Sequence, residues 1–225
     1  MRSVDDLTAA ARIRDAAIEQ FGQHGFGVGV RAIATAAGVS AGLVIHHFGS
    51  KDGLRKACDD FIAESIRETK TESLRTHDPA AWFTAVAGID EFAPMMSYLV
   101  RNMREGGELA NTLWQQMIDN TEQYLEEGVR AGTVKPSADP KARAYYLALT
   151  GGGGFLLYLQ LHESADITTI LRDYAEQMVL PALEVYSNGL LTDSTMYEAF
   201  SARREQGIPF ATPSEEITHD GTTPD

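Results

Sequence analysis

Cysteine is nearly absent: Cys58 is the single one in a chain of 225 residues, so no internal disulfide can form and a reducing compartment is compatible. Long apolar runs are missing too. None approaches the roughly 20 residues a membrane span needs, and the opening MRSVDDLTAAARIRDA lacks the uninterrupted apolar core of a secretion signal. The expectation is a soluble, cytoplasmic protein. Also lacking is any nucleophile with a base and orienter, any acidic pair or any cofactor loop, so neither an enzyme nor a cofactor is expected. The histidines make a poor metal set. His46 and His47 are adjacent and point about 100° apart on a helix, whereas paired ligands favour i, i+4; His24, His77, His162 and His219 are scattered.

Positive charge is scarce overall, with 19 Lys and Arg against 32 Asp and Glu and a net charge of −13. The shortage is uneven. Residues 1–58 hold seven basic groups (Arg2, Arg12, Arg14, Arg31, Lys51, Arg55, Lys56) against five acidic ones, while residues 59–225 hold 12 against 27. An acidic body opposes nonspecific adhesion to DNA, yet a locally positive face can still dock on phosphates.

What is present is helical periodicity, and no alternating segment reads as a strand, so the fold class is all-α. A first helix runs through LTAAARIRDAAIEQFGQHG, with Thr8 as its N-cap and Ile13, Ala16, Ala17 and Phe21 on one face. VRAIATAAG is a short helix closed by Gly38. Ser40 caps a second short helix, SAGLVIHH, and Ser50 caps a fourth with Leu54, Ala57, Cys58, Phe61, Ile62 and Ile66 on its apolar side. Further helices are predicted over 79–87, 91–104, 108–131, 140–163 and 167–188, with Pro181 bending the last. A short helix over 194–204 precedes a polar, Pro-rich and acidic tail that reads as disordered.

Two short helices joined by residues 37–39 and packed on a longer one make a helix-turn-helix, whose second helix enters the major groove. Here RAIATAAGVSAGLVIHHFGSKDGL resembles the DNA-binding segment of the TetR family of bacterial transcriptional regulators. The resemblance runs through Ile33, Ala34, Ala37, Gly38, Val39, Ser40, Gly42, His47, Phe48, Ser50, Lys51, Asp52 and Leu54. It implies a DNA-binding domain over 1–58, a helical effector-binding and dimerisation domain over 59–193, and a short helix with the tail over 194–225. It also implies that Arg31, His47 and Lys51 touch backbone phosphates, contacts that position the protein without reading sequence. Ser40, Ala41, Gly42, Leu43 and Ile45 complete the expected DNA face, and Phe48 holds the helix to the core. His46 is either a DNA contact or a solvated surface residue.

Two positions depart from the pattern. Ile45 stands where an aromatic residue is usual, and Gly29 and Val30 stand where a Thr or Ser often caps the preceding helix. Both changes remove polar contacts. With no Arg, Asn or Gln among residues 41–45, readout is expected through thymine methyls, close backbone approach and DNA shape.

TGGGGF, residues 150–155, has no following Lys-Ser/Thr and no preceding strand. Helix packing, a pocket wall and phosphate binding all remain open for it, since glycines in a helix need a compensating close approach. Residues 82–124 are rich in soft and aromatic side chains. They read either as ordinary core or as an adaptable pocket for a hydrophobic effector, lined by Trp82, Phe83, Met95, Tyr98, Met103, Trp114 and Met117 with Asn102, Gln115 and Tyr146 as polar anchors. Gly152, Gly153, Leu156, Ile167, Leu171, Tyr174 and Met178 are expected to meet a second copy of the chain. The expected function is a ligand-responsive regulator, a homodimeric repressor released from a palindromic operator by a largely hydrophobic small molecule. The alternative is a small-molecule-binding protein whose DNA module is degenerate.

Overall fold

The computed structural model describes residues 4–76, 78–162 and 166–209, and every regular element among them is helical. In order they are α1 (Val4–His24), α2 (Val30–Ala36), α3 (Ala41–Phe48), α4 (Lys51–Thr76), α5 (Pro79–Ala87), α6 (Ala93–Glu105), α7 (Glu108–Ala131), α8 (Pro140–Leu161), α9 (Ile167–Asn188) and α10 (Thr195–Glu205), with a 3-10 turn at Ile89–Phe92.

Side-chain caps set several starts. The Ser40 hydroxyl accepts from the Leu43 N–H at 3.2 Å, and Ser50 from the Gly53 N–H at 2.9 Å. Asp78 and Asp139 do the same at α5 and α8, accepting from Ala80 and Ala142.

Two expectations change. α1 begins at Val4, so Thr8 lies inside it. α6 begins at Ala93 rather than 91, because the ring of Pro94 is tolerated only in a first helical turn. α9 has the expected bounds, with Pro181 inside it. Residue 163 and the tail over 210–225 lie outside the described residues.

One core serves both the first four helices and the body. Ile13, Ala17 and Phe21 of α1, Ile33 of α2, Val44 of α3 and Leu54, Cys58 and Ile62 of α4 are buried together with Tyr98 and Leu99 of α6 and Leu113 of α7. α4 passes through residue 58 without a break, so no linker separates the expected domains. α7 is tied along α4: Asn120 donates to the Ala63 carbonyl at 3.0 Å and the Thr133 hydroxyl, just past its end, to that of Leu74 at 2.6 Å. A second cluster joins Ala93 and Val100 of α6 to Phe155 and Tyr158 of α8 and Ile170 and Leu171 of α9.

Tyr98 was expected to face an effector, but its place is at the junction of α1, α4 and α6. It is 0% exposed, its ring meets Phe26 and Phe21 edge-on at 5.1 and 6.2 Å, and its hydroxyl donates to Asp59 at 2.6 Å. Arg55 lies with its guanidinium 3.7 Å above the Phe26 ring. α1 and α6 touch almost backbone to backbone here, since a Cβ on Gly22 would stand 3.0 Å from the Tyr98 nitrogen.

The chain divides into two compact units between Gln177 and Met178. The second contains the end of α9 and α10, and it leaves Leu180, Tyr186, Leu190, Leu191 and Tyr197 exposed.

Because the core is shared, Ile62→Ala should cost about 2–5 kcal/mol and the first unit should still melt in one transition in urea. Two separated transitions would show independent cores. A second expectation concerns Asp59. Burial pushes its carboxyl above the usual carboxylate range, with the Tyr98 hydrogen bond and Arg55 opposing. A raised pKa means that the ionised form costs stability above the folded pKa, and that this cost is gone below the unfolded value of about 3.9. Asp59→Asn retains an acceptor for Tyr98, so it should stabilise the protein at pH 7–8, with a gain that shrinks on acidification and vanishes near pH 4. Chemical denaturation across pH checks this; a gain that grows on acidification would contradict it.

Candidate functional site

The α2–α3 pair presents a narrow exposed face. Gly38 turns the chain with φ +66°, and the Val39 N–H bonds back to the Ala34 carbonyl at 2.9 Å. Val44 then points into the core at 0% exposure, and Ala41, Leu43 and Phe48 lean on the same cluster. That leaves Gly42, Ile45 and His46 outward, with Ser40 and Arg31 exposed beside them and His47 and Lys51 half-buried. Ser40 also spends its hydroxyl oxygen on the cap. The rings of His46 and His47 lie 5.5 Å apart at 69°, and the described residues hold no group of three His, Cys, Asp or Glu placed for a metal ion. Gly29 caps α2 with backbone alone and makes no side-chain cap bond.

Gly53 fixes how α3 meets α4. A Cβ there would fall 2.1 Å from the Phe48 carbonyl oxygen, so only glycine permits this approach. Lys51 is thereby held at the start of α4, close behind the end of the recognition helix.

The expected effector residues divide. Met95 and Met117 pack on the shared core. Trp82 is half-buried and donates its indole N–H to the Ser73 carbonyl at 3.2 Å. Phe83 and Tyr146 are 74% and 65% exposed. Gln115 is also exposed, bonded to Asp119 at 3.0 Å, on an open groove of about 710 Å³ shared with Glu122, Lys141 and Tyr145. Met103 and Trp114 do come together, over Gly152. A Cβ on Gly152 would stand 2.8 Å from the Trp114 ring and 3.5 Å from the Met103 Cε. Asn102, the neighbour of Met103, is wholly buried.

Gly152 therefore packs within its own chain, and its compensating close approach comes from an indole. Leu171 likewise is buried against Phe155, Tyr158 and Ile170, and Leu156, Ile167 and Tyr174 lean on that cluster. Their periodicity marked burial correctly but not the partner. Only Gly153 and Met178 of the expected interface residues are exposed. The outward apolar side chains on α8 are Tyr145, Tyr146, Leu149, Leu157 and Leu161. Asp59 and Arg55 went unselected in the sequence, although a carboxylate beside Cys58 and three residues before Ile62 on an apolar face was a usable signal.

The described residues contain no helix long and apolar enough to cross a membrane. Residues 13–58 match the bacterial regulatory proteins of the tetR family, and residues 90–192 match the tetracyclin repressor-like C-terminal domain. The HTH-type transcriptional regulatory protein RaaS of Mycobacterium tuberculosis (strain ATCC 25618 / H37Rv) is 69% identical over 208 residues, 92% of this chain and 98% of that protein. Among solved structures, FadR of Bacillus subtilis in complex with stearoyl-CoA aligns with a TM-score of 0.55 at 17% identity, over 80% of this chain and 99% of that one. SmeT, the repressor of the Stenotrophomonas maltophilia multidrug efflux pump SmeDEF, aligns at 0.52 and 20% identity, over 77% and 89%. These two likenesses establish a common fold. With its helix-turn-helix built on a core shared with a larger helical body, the chain belongs to the tetR family of bacterial regulatory proteins and is a ligand-responsive, DNA-binding transcriptional regulator.

Proposed function

We propose that this regulator is a cytoplasmic homodimeric repressor that leaves a palindromic operator when a largely hydrophobic small molecule binds its body. The observation that carries the reading is the outward face of α3, where Gly42, Ile45 and His46 stand with Arg31 and Lys51 at its flanks. Gly42 admits close backbone approach, and Ile45 offers an apolar contact to a thymine methyl. Arg31, Lys51 and His47 act on phosphates. Catalysis has no part in this reading.

The exposed apolar residues of α8 support pairing with a second copy, because contiguous apolar patches on a soluble chain mark interaction surfaces. A two-fold dimer presents two recognition helices about one DNA turn, roughly 34–36 Å, or a multiple of it apart. Effector and operator are then linked: an effector that favours a dimer with misplaced helices weakens operator binding by the same factor that operator weakens effector binding. The second reading, a ligand-binding protein with a degenerate DNA module, draws on the missing side-chain cap at Gly29 and on Ile45.

Selection of bound duplexes from a random pool, followed by a salt titration of the best site, tests the proposal. An inverted repeat should emerge, and its affinity should fall steeply between 50 and 200 mM salt, where six to ten phosphate contacts lose about 10³–10⁵. Arg31→Ala and Lys51→Ala should each weaken binding across sequences and reduce the salt slope by about one. No enrichment at low salt would favour the second reading.

A further inference from the structure

We propose that Asn102 is the polar anchor of the effector site, and that the buried end of the effector is an apolar group bearing an uncharged hydrogen-bonding function such as an amide, ester or alcohol. This rests on the reading that the body takes a hydrophobic small molecule.

Four polar residues are buried among the described ones, and three of them have partners. Asp59 accepts from Tyr98, Asn120 donates to the Ala63 carbonyl, and Thr121 donates to that of Met117. Asn102 is 0% exposed and neither its side-chain oxygen nor its nitrogen has a partner. A buried amide left unpaired destabilises the fold, while an apolar side chain of similar shape would not. A ligand that pairs with it removes that penalty only when bound.

The surroundings of Asn102 along α6 suit such a role. The next residue, Met103, adjoins Trp114 over Gly152, while Gly151, Gly153 and Gly154 are exposed and have nothing within 4 Å of the position a Cβ would take. The Met103 and Trp114 side chains resting on Gly152 can be displaced by an apolar chain without breaking a hydrogen bond. One turn back, Tyr98 holds Asp59 of α4. A ligand seated on Asn102 therefore bears on the helix that carries the link to the DNA module. The amide supplies two donors and an acceptor but no charge, so it offsets only part of the cost of burying a carboxylate, and an uncharged partner is favoured.

The test uses decanamide, 1-decanol and decanoate on the full chain, read by tryptophan fluorescence from Trp82 and Trp114 and by melting temperature. The wild type should bind decanamide and decanol at least tenfold more tightly than decanoate. Asn102→Leu should lose that preference, bind all three within about threefold of one another, and melt higher than the wild type without ligand. Asn102→Ala, which leaves more room, should also lose the preference, so the outcome does not depend on leucine fitting. If all three probes bind and their order is the same in both variants, or if decanoate binds most tightly to the wild type, the anchor is wrong while the hydrophobic site stands. If no probe binds the wild type, the hydrophobic effector reading falls and the anchor falls with it.

Discussion

The burial of Tyr98 between α1, α4 and α6 is the constraint on which the rest of this molecule depends. Its ring fills the angle between Phe21 and Phe26, its hydroxyl satisfies Asp59, and its backbone abuts Gly22. Close-packed interiors do not deform continuously. A shift of α6 must therefore carry α1 and α4 with it or break a buried hydrogen bond. α4 begins at Lys51, immediately after α3, so the helix that Tyr98 holds to α6 is also the one that continues from the recognition helix.

The DNA face itself is built by subtraction. Val44 is sunk in the core, and Leu43 and Ala41 lean on it, leaving glycine, isoleucine and histidine outward. Such a face has little capacity for bidentate base recognition. In the proposed complex, discrimination falls to thymine-methyl contact and the shape of the duplex, while phosphate contacts at the edges of this face position the protein without reading sequence. The acidic remainder of the chain works in the same direction, because it discourages DNA from settling anywhere else.

In the body, Trp114 fills the space above one of four consecutive glycines, and the other three have nothing within 4 Å of a Cβ position. Packing of α8 through Gly152, Phe155 and Tyr158 offsets their low helix propensity. The same packing leaves α8 with two unlike faces. Phe155 and Tyr158 are buried, whereas Tyr145, Tyr146, Leu149, Leu157 and Leu161 are exposed among the described residues.

Much of this was legible locally. The sequence marks α5, α7 and α9 at their observed ends, and Ser40, Ser50 and Gly38 set the limits of the recognition helix, because caps and positive-φ turns act within four residues of themselves. The family motif lies in that same local stretch, so the class of protein could be read from it as well. Tertiary structure alone decided the partners. Tyr98 lies at the junction of α1, α4 and α6, Gly152 meets an indole of its own chain, Leu171 is buried in its own core, and Tyr146 faces out. Periodicity reports that a face is apolar. It carries no information about which surface covers that face, since the hydrophobic effect is non-directional and any apolar partner of suitable shape would serve.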